Sequence, residues 1–199
     1  MAKKVDHDAR RQEIAAKAIK LFSQVGYDNV SLIMIAAACG ISRTVIYRYF
    51  CSKRETLDAA IGLVTGRIES LSAEAVLSNG TAREKLERVC HIVAEVMFEN
   101  KEFLIAVFDF VVASVRTGAD MTTPLKEFTA GSRQIISRLV EMGKRRGEFD
   151  AVLQVPRTTD ILYSEFESCA MRIALGTEKN ADAAKQRFTD IIRAISTWR

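Results

Sequence analysis

The stretch SLIMIAAACGISRTVIYRYF, residues Ser31–Phe50, reads as two short helices joined by a tight corner at Gly40. Leu32, Ile35, Ala36 and Cys39 recur at the spacings of one helical face, and Ser31 stands before them as an N-cap. Gly40 follows the last apolar position, where a glycine can take the left-handed backbone that ends a helix, and Ser42 can then cap a second one. So short a connection is that of a helix-turn-helix. On the second helix Ile46 and Phe50 are four apart and point inward, Thr44 and Arg48 lie opposite with Val45 beside them, and Tyr47 and Tyr49 sit on the flanks. Such a helix suits a DNA major groove, which admits one α-helix and offers base edges to its outer side. An ordinary surface helix with aromatic flanks is the competing reading.

The flanks bear on that choice. From about Asp8 to Val25 one helical stripe holds Ile14, Ala18, Ile19, Phe22 and Val25, and Gly26 stops it. This helix is expected to cover Ile35 and Ile46, with residues 1–7 a short basic arm ahead of it. After Phe50, Ser52 and Glu55 make a capping box that starts the next helix. Free N–H groups there, with Lys53 beside them, form a phosphate clamp. Residues 1–60 hold ten Lys/Arg against six Asp/Glu, and the rest of the chain balances, so the whole excess of +4 surrounds the helix-turn-helix.

From Arg11 to Ile61 the chain resembles the DNA-binding domain of TetR-type transcriptional regulators. The resemblance rests on LF at Leu21–Phe22, GYDNVS at Gly26–Ser31, IAAACGIS at Ile35–Ser42, VIYRYF at Val45–Phe50 and SKRETL at Ser52–Leu57. It implies that Tyr47 and Lys53 hold DNA phosphates and that Arg43, Thr44, Val45, Arg48 and Tyr49 face the groove or its walls. Ser31 and Ser42, at the two helix starts, complete the expected DNA-binding set. Two departures stand out. The family commonly has a small residue then a hydroxyl where this chain has Thr44 and Val45, so a hydroxyl contact has shifted by one or been replaced by contact with a thymine methyl. Ile33, Met34 and Ala37 occupy positions often polar or charged, so a phosphate contact there is in doubt.

Two prolines, ten glycines and repeated 3.6-residue patterns without alternating strands predict an all-α protein of about nine helices. The division expected is an N-terminal helix-turn-helix domain over 1–52 and a larger effector-binding and dimerisation domain over 53–199. The helix from Lys53 runs toward Ser78, Asn79-Gly80 breaks it, and Thr81 with Glu84 forms a second capping box. Leu86, Val89, Cys90, Val93, Val96 and Met97 stripe the helix that follows. Lys101 to about Arg116 is apolar almost all round and is expected to be central and buried. Its Asp109 either reaches the rim or an arginine such as Arg116 or Arg133, or lies on a pocket wall. Residues 118–123 read as a loop before a helix with Pro124 in its first turn. That helix is striped by Leu125, Phe128, Ile135, Ile136, Leu139 and Met142 and ends in the basic Lys144-Arg145-Arg146. After a loop over 147–157, Thr158 or Thr159 caps a helix aligned on Leu162, Phe166, Cys169 and Ile173, and Gly176 ends it. The last helix, from about Lys179 to Trp198, aligns Ala184, Phe188, Ile191, Ile192, Ile195 and Trp198.

The resemblance implies a homodimer through the last two helices, with Ala170 and Ala174 permitting close approach. It further implies a repressor released from a palindromic double-stranded operator by a small-molecule effector. The aromatic content makes that effector apolar or aromatic, bound near Met97, Phe98, Phe103, Val107, Phe108, Asp109, Phe128 and Tyr163. No cofactor and no metal are expected: Cys39, Cys51, Cys90 and Cys169 are widely spaced and have no zinc pattern with His7 or His91. Neither a nucleophile elbow nor a phosphate loop is present, which disfavours an enzyme. A thiol-based redox sensor using Cys51 is the alternative regulator. The N-terminus lacks an apolar secretion signal, and the greasy run Phe103–Val115 is short for a span and holds Asp109, so a cytoplasmic location without membrane contact is expected.

Overall fold

The computed structural model describes residues 2–118 and 123–196, the side chains of 2–6 and 124 excepted. Among the described residues the chain forms α1 (Ala2–Val25), α2 (Leu32–Ala38), α3 (Arg43–Ile46), α4 (Lys53–Leu77), α5 (Ala82–Glu99), α6 (Lys101–Thr117), α7 (Thr123–Arg145), α8 (Val155–Leu175) and α9 (Ala181–Ala194). The all-α expectation of about nine helices holds, and the one extended element described is an isolated bridge between Phe149 and Ser196. None of the described helices is long and apolar enough to cross a membrane. The chain divides into two compact units, Met1–Thr65 with Glu102–Lys126, and Gly66–Lys101 with Glu127–Arg199. α4 contributes to both units, and α6 belongs with the N-terminal helices.

In the first unit α1 packs on α2 and α2 on α3. Ile14, Ala18 and Phe22 of α1 join Leu32, Ile35, Ala36 and Cys39, and Ile46, Phe50, Leu57 and Ile61 are closed to solvent. Two boundaries of α1 differ from expectation. It begins at Ala2 rather than Asp8, since nothing in residues 2–7 breaks a helix. Its buried stripe stops at Phe22: Val25 is 39% exposed, because the chain turns away at Gly26, whose φ is 87°.

α6 is not buried all round. Phe103, Leu104, Ala106, Val107, Phe110 and Ala113 are buried, while Val112 and Val115, three apart on the other side, are exposed. The Asp109 side chain reaches the turn after α1 instead of either expected arginine. Its carboxylate accepts the Tyr27 backbone N–H just after α1. The Tyr27 ring lies 5.4 Å from Phe22 and meets Phe110 edge-on at 4.9 Å, so this residue of the α1 exit turn ties α6 to the head.

The second unit is organised around α5, which packs on α8 and α9. Thr81 and Glu84 form the reciprocal capping box read from sequence. α7 ends where Lys144 donates to the Leu153 carbonyl and Phe149 packs against Gly143. α8 starts earlier than expected, at Val155 after Gln154, with Pro156 in its first turn; Thr158 and Thr159 are therefore buried helix residues rather than caps. Leu162, Phe166, Cys169 and Ile173 are buried, and Gly176 ends the helix with φ 75°. Asn180 caps α9 from Ala181, two residues beyond the expected start, and Ala184, Phe188 and Ile192 are its buried stripe. Trp198 and most of the 118–123 loop lie outside the described residues.

A ring of alternating charge joins α8 to α9. Arg172 donates to Glu165 and Glu178, and Arg187 donates to the same two carboxylates. Burial pushes the Glu178 carboxyl up, but the Arg187 and Arg172 donors outweigh it and hold the group below its ordinary value.

Candidate nucleic-acid interface

The helix-turn-helix is set by local capping. The Ser31 hydroxyl accepts from Met34 N at 3.2 Å and the Ser42 hydroxyl from Val45 N at 3.3 Å. Each cap uses an acceptor lone pair and leaves the O–H donor for a phosphate oxygen. Between them Gly40 takes φ 66°, and a Cβ there would meet nothing within 4 Å, so the backbone conformation alone selects glycine.

The second helix is shorter than the sequence suggests. Regular α structure ends at Ile46, and Arg48 N bonds Val45 O and Tyr49 N bonds Ile46 O in tighter three-residue turns through Tyr49. Ile46 and Phe50 remain on the inner side, 0% and 1% exposed. Arg43, Thr44, Tyr47 and Arg48 are exposed outside it, with Val45 and Tyr49 half-buried. The Arg43 guanidinium lies 6.0 Å from the Tyr47 ring centre, so one cation and one phenol share a side of the reading turn. Ile33 and Met34 are 47% and 38% exposed, and Ala37 is exposed with them, so α2 does present an apolar outer face.

At the start of α4 the capping box is displaced by one residue. Ser52 Oγ accepts from Glu55 N at 3.1 Å, but the Glu55 carboxylate takes Cys51 N at 2.7 Å. Lys53, expected beside this helix start as part of a phosphate clamp, is tied back to the turn after α1. Its ammonium donates to the Tyr27 carbonyl at 2.7 Å and the Asp28 carbonyl at 3.1 Å, and sits 4.5 Å over the Tyr27 ring. One of its three donors is left for a phosphate.

Two residues that the sequence reading does not single out hold this surface from α1. The His7 ring stacks on Tyr49 with centroids 4.6 Å apart and planes 23° from parallel. Arg11 donates to the Tyr49 carbonyl at 3.3 Å and to Glu55 at 2.6 Å, with its guanidinium 4.5 Å over the Phe50 ring. No local pattern points to partners 38 to 44 positions away. Opposite charge on Arg11 and Glu55 is the one available signal, and many other pairs share it.

Of the eight expected effector-binding residues, four fall in each compact unit. Met97, Phe98, Phe128 and Tyr163 belong to the second unit; Phe103, Val107, Phe108 and Asp109 belong to the first. Phe103 and Val107 are core residues, Asp109 is bonded to Tyr27, and the Tyr163 hydroxyl donates to Thr129 Oγ1 at 3.1 Å. Two cavities of the second unit are lined by other residues. One is an apolar gap of about 10 Å³ among Ile68, Ser72, Val89, Val93, Ile136 and Phe166. The other is a groove of about 340 Å³ along α8 and α9, lined by Val152, Leu153, Arg157, Ile161, Ile191 and Ile195 among others.

Of the four cysteines only Cys51 is exposed. Burial raises the thiols of Cys39, Cys90 and Cys169. Among the described residues no group of three or more His, Cys, Asp or Glu is placed to hold a metal ion.

Residues 14–60 match the family model described as bacterial regulatory proteins, tetR family. The chain is 25% identical over 203 residues to the HTH-type transcriptional regulator PksA of Bacillus subtilis, covering 98% of this chain and 94% of that one. It is 31% identical over 77 residues to the HTH-type transcriptional repressor KstR of Mycolicibacterium smegmatis, covering 39% and 38%. In fold it is similar to the ketosteroid transcriptional regulator KstR2 of Mycobacterium tuberculosis, with a TM-score of 0.75 at 16% identity over 95% and 96% of the two chains.

Proposed function

We propose that this chain, whose residues 14–60 match the tetR family of bacterial regulatory proteins, acts as a homodimeric cytoplasmic repressor, released from a palindromic operator by a small apolar effector. The observation that carries the DNA-reading part is the reading turn itself. Arg43, Thr44, Tyr47 and Arg48 face outward around a one-turn helix whose inner side is closed by Ile46 and Phe50. In this reading Arg48, Thr44 and Val45 enter the major groove. Arg43 and Tyr49 line its walls, and Tyr47, Lys53, Ser31 and Ser42 meet phosphates. Two heads in successive major grooves stand about 34–36 Å apart, which makes the operator a palindrome.

Dimerisation through α8 and α9 is supported by exposed Ile161, Met171 and Leu175 on α8 and by the apolar groove shared with Ile191 and Ile195. For the effector, the apolar gap in the second unit holds no more than a water as it stands. A ligand entering there selects a wider helix spacing, and α4, which lines the gap with Ile68 and Ser72, starts at Lys53 beside the reading turn. KstR2, similar in fold, is a ketosteroid transcriptional regulator, and a ketosteroid is of the apolar kind this gap would take.

The test is selection from a randomised duplex library with the full chain, followed by anisotropy titration of the enriched duplex. A palindrome bound by two chains is the expected result. If no duplex is enriched even in dilute buffer, where phosphate contacts are strongest, the reading fails.

A further inference from the structure

We propose that the first turns of α1 belong to the operator-reading machinery, with His7 as a positioning residue that sets the Tyr49 ring. The inference rests on the operator reading above and deepens it.

Tyr49 lies past the end of regular helix in α3, where Arg48 N and Tyr49 N bond three residues back and Ile46 O is shared between Tyr49 N and the α-type bond from Phe50 N. Such a segment does not fix its own side-chain directions as a full helix would. The fixing comes from outside. The Glu55 carboxylate takes Cys51 N, and the Arg11 guanidinium covers the Phe50 ring and donates to the Tyr49 carbonyl. Those contacts hold backbone and core but leave the Tyr49 side chain free to swing about its own torsions. His7 supplies the missing restraint, because its ring stacks face to face on the phenol at 4.6 Å. His7 reaches that position because α1 begins at Ala2 and so carries residue 7 two turns beyond the covered stripe that starts at Ile14. With 46% of its side chain still exposed, His7 is not core packing; the restraint falls on the surface that faces a duplex.

The consequence is that part of operator affinity is set by a residue outside the helix-turn-helix, acting through Tyr49. One stacked aromatic pair corresponds to about a three- to tenfold change in an equilibrium constant. The experiment uses the full chain and the duplex most enriched by wild type from a randomised library, with His7→Ala, His7→Phe, Tyr49→Ala and the His7→Ala/Tyr49→Ala pair titrated by fluorescence anisotropy. His7→Ala is expected to bind about three- to tenfold more weakly, and His7→Phe, which keeps a stacking ring, to bind within about twofold of wild type. In the Tyr49→Ala background, removing His7 is expected to change affinity by less than about twofold. Unchanged binding by His7→Ala, failure of His7→Phe to rescue, or a full His7 effect without Tyr49 each overturns the positioning role while leaving the operator reading standing. Failure of wild type to enrich any duplex overturns both.

Discussion

Replacing Asp109 by alanine tests whether α6 is anchored to the head through the α1 exit turn. In the structure its carboxylate accepts the Tyr27 N–H, while the Tyr27 carbonyl accepts from Lys53 at 2.7 Å, so one residue's backbone is gripped on both sides by charged groups. A hydrogen bond to an ionised partner contributes about 1.5–3 kcal/mol, against about 0.5–1.5 kcal/mol for a neutral one. Asp109→Ala leaves a part-buried N–H without its acceptor and is expected to cost about 1.5–3 kcal/mol. For a chain of this size that lowers Tm by about 3–12 °C. Asp109→Asn keeps a carbonyl oxygen and should fall between alanine and wild type. Urea titration at constant pH gives the free energy and calorimetry the Tm. An alanine variant melting with wild type would refute the anchoring argument. Should that variant also lose its response to an apolar ligand, Asp109 would return to the role of pocket wall.

The remaining predictions concern the reading surface and the second unit. Arg48→Ala should change which bases are preferred in a selected duplex. Lys53→Ala should weaken all duplexes alike and reduce the slope of log affinity against log salt by about one, with a lowered Tm because two carbonyls lose their donor. Gly143→Ala should destabilise by about 1–3 kcal/mol in urea titration, since a Cβ there would overlap the Phe149 ring, and the gain of about 1 kcal/mol in helix propensity does not offset a forced ring shift. The Glu178 carboxyl is held below its ordinary value, so its contribution is full above the unfolded carboxylate value and disappears as pH falls through the lower folded one. Tm measured against pH should therefore drop more steeply on the acid side for wild type than for Glu178→Gln.

What could be read from the sequence was whatever local chemistry decides. The caps at Ser31, Ser42 and Thr81 and the left-handed glycines 40 and 176 act over three or four residues, so their residue types carry the information. The length of α3 was not legible, because the α ladder and the tighter turns after Ile46 place Ile46 and Phe50 on the same inner side and leave the same apolar spacing. The placement of α6 was not legible either. An almost wholly apolar helix has no face to read, so nothing predicted that Asp109 would meet Tyr27, 82 positions away. The effector set rests on a related ambiguity: aromatic residues on α5, α6, α7 and α8 mark buried core and ligand pocket alike.

Lys53, which is expected to meet DNA, is also one of the groups that hold the head together, and this bears on how binding responds to salt. Lys53 spends two donors on the Tyr27 and Asp28 carbonyls, and Arg11 spends its guanidinium on Glu55, the Tyr49 carbonyl and the Phe50 ring. α2 exposes Ile33 and Met34, which have no donor to offer a phosphate. In the proposed docking Arg43, Arg48 and the third donor of Lys53 are cations that release counterions on binding, so removing any of them is expected to flatten the salt slope. In that docking, discrimination among sequences is expected to come from Thr44, Val45, Arg48 and the direction in which Tyr49 is held.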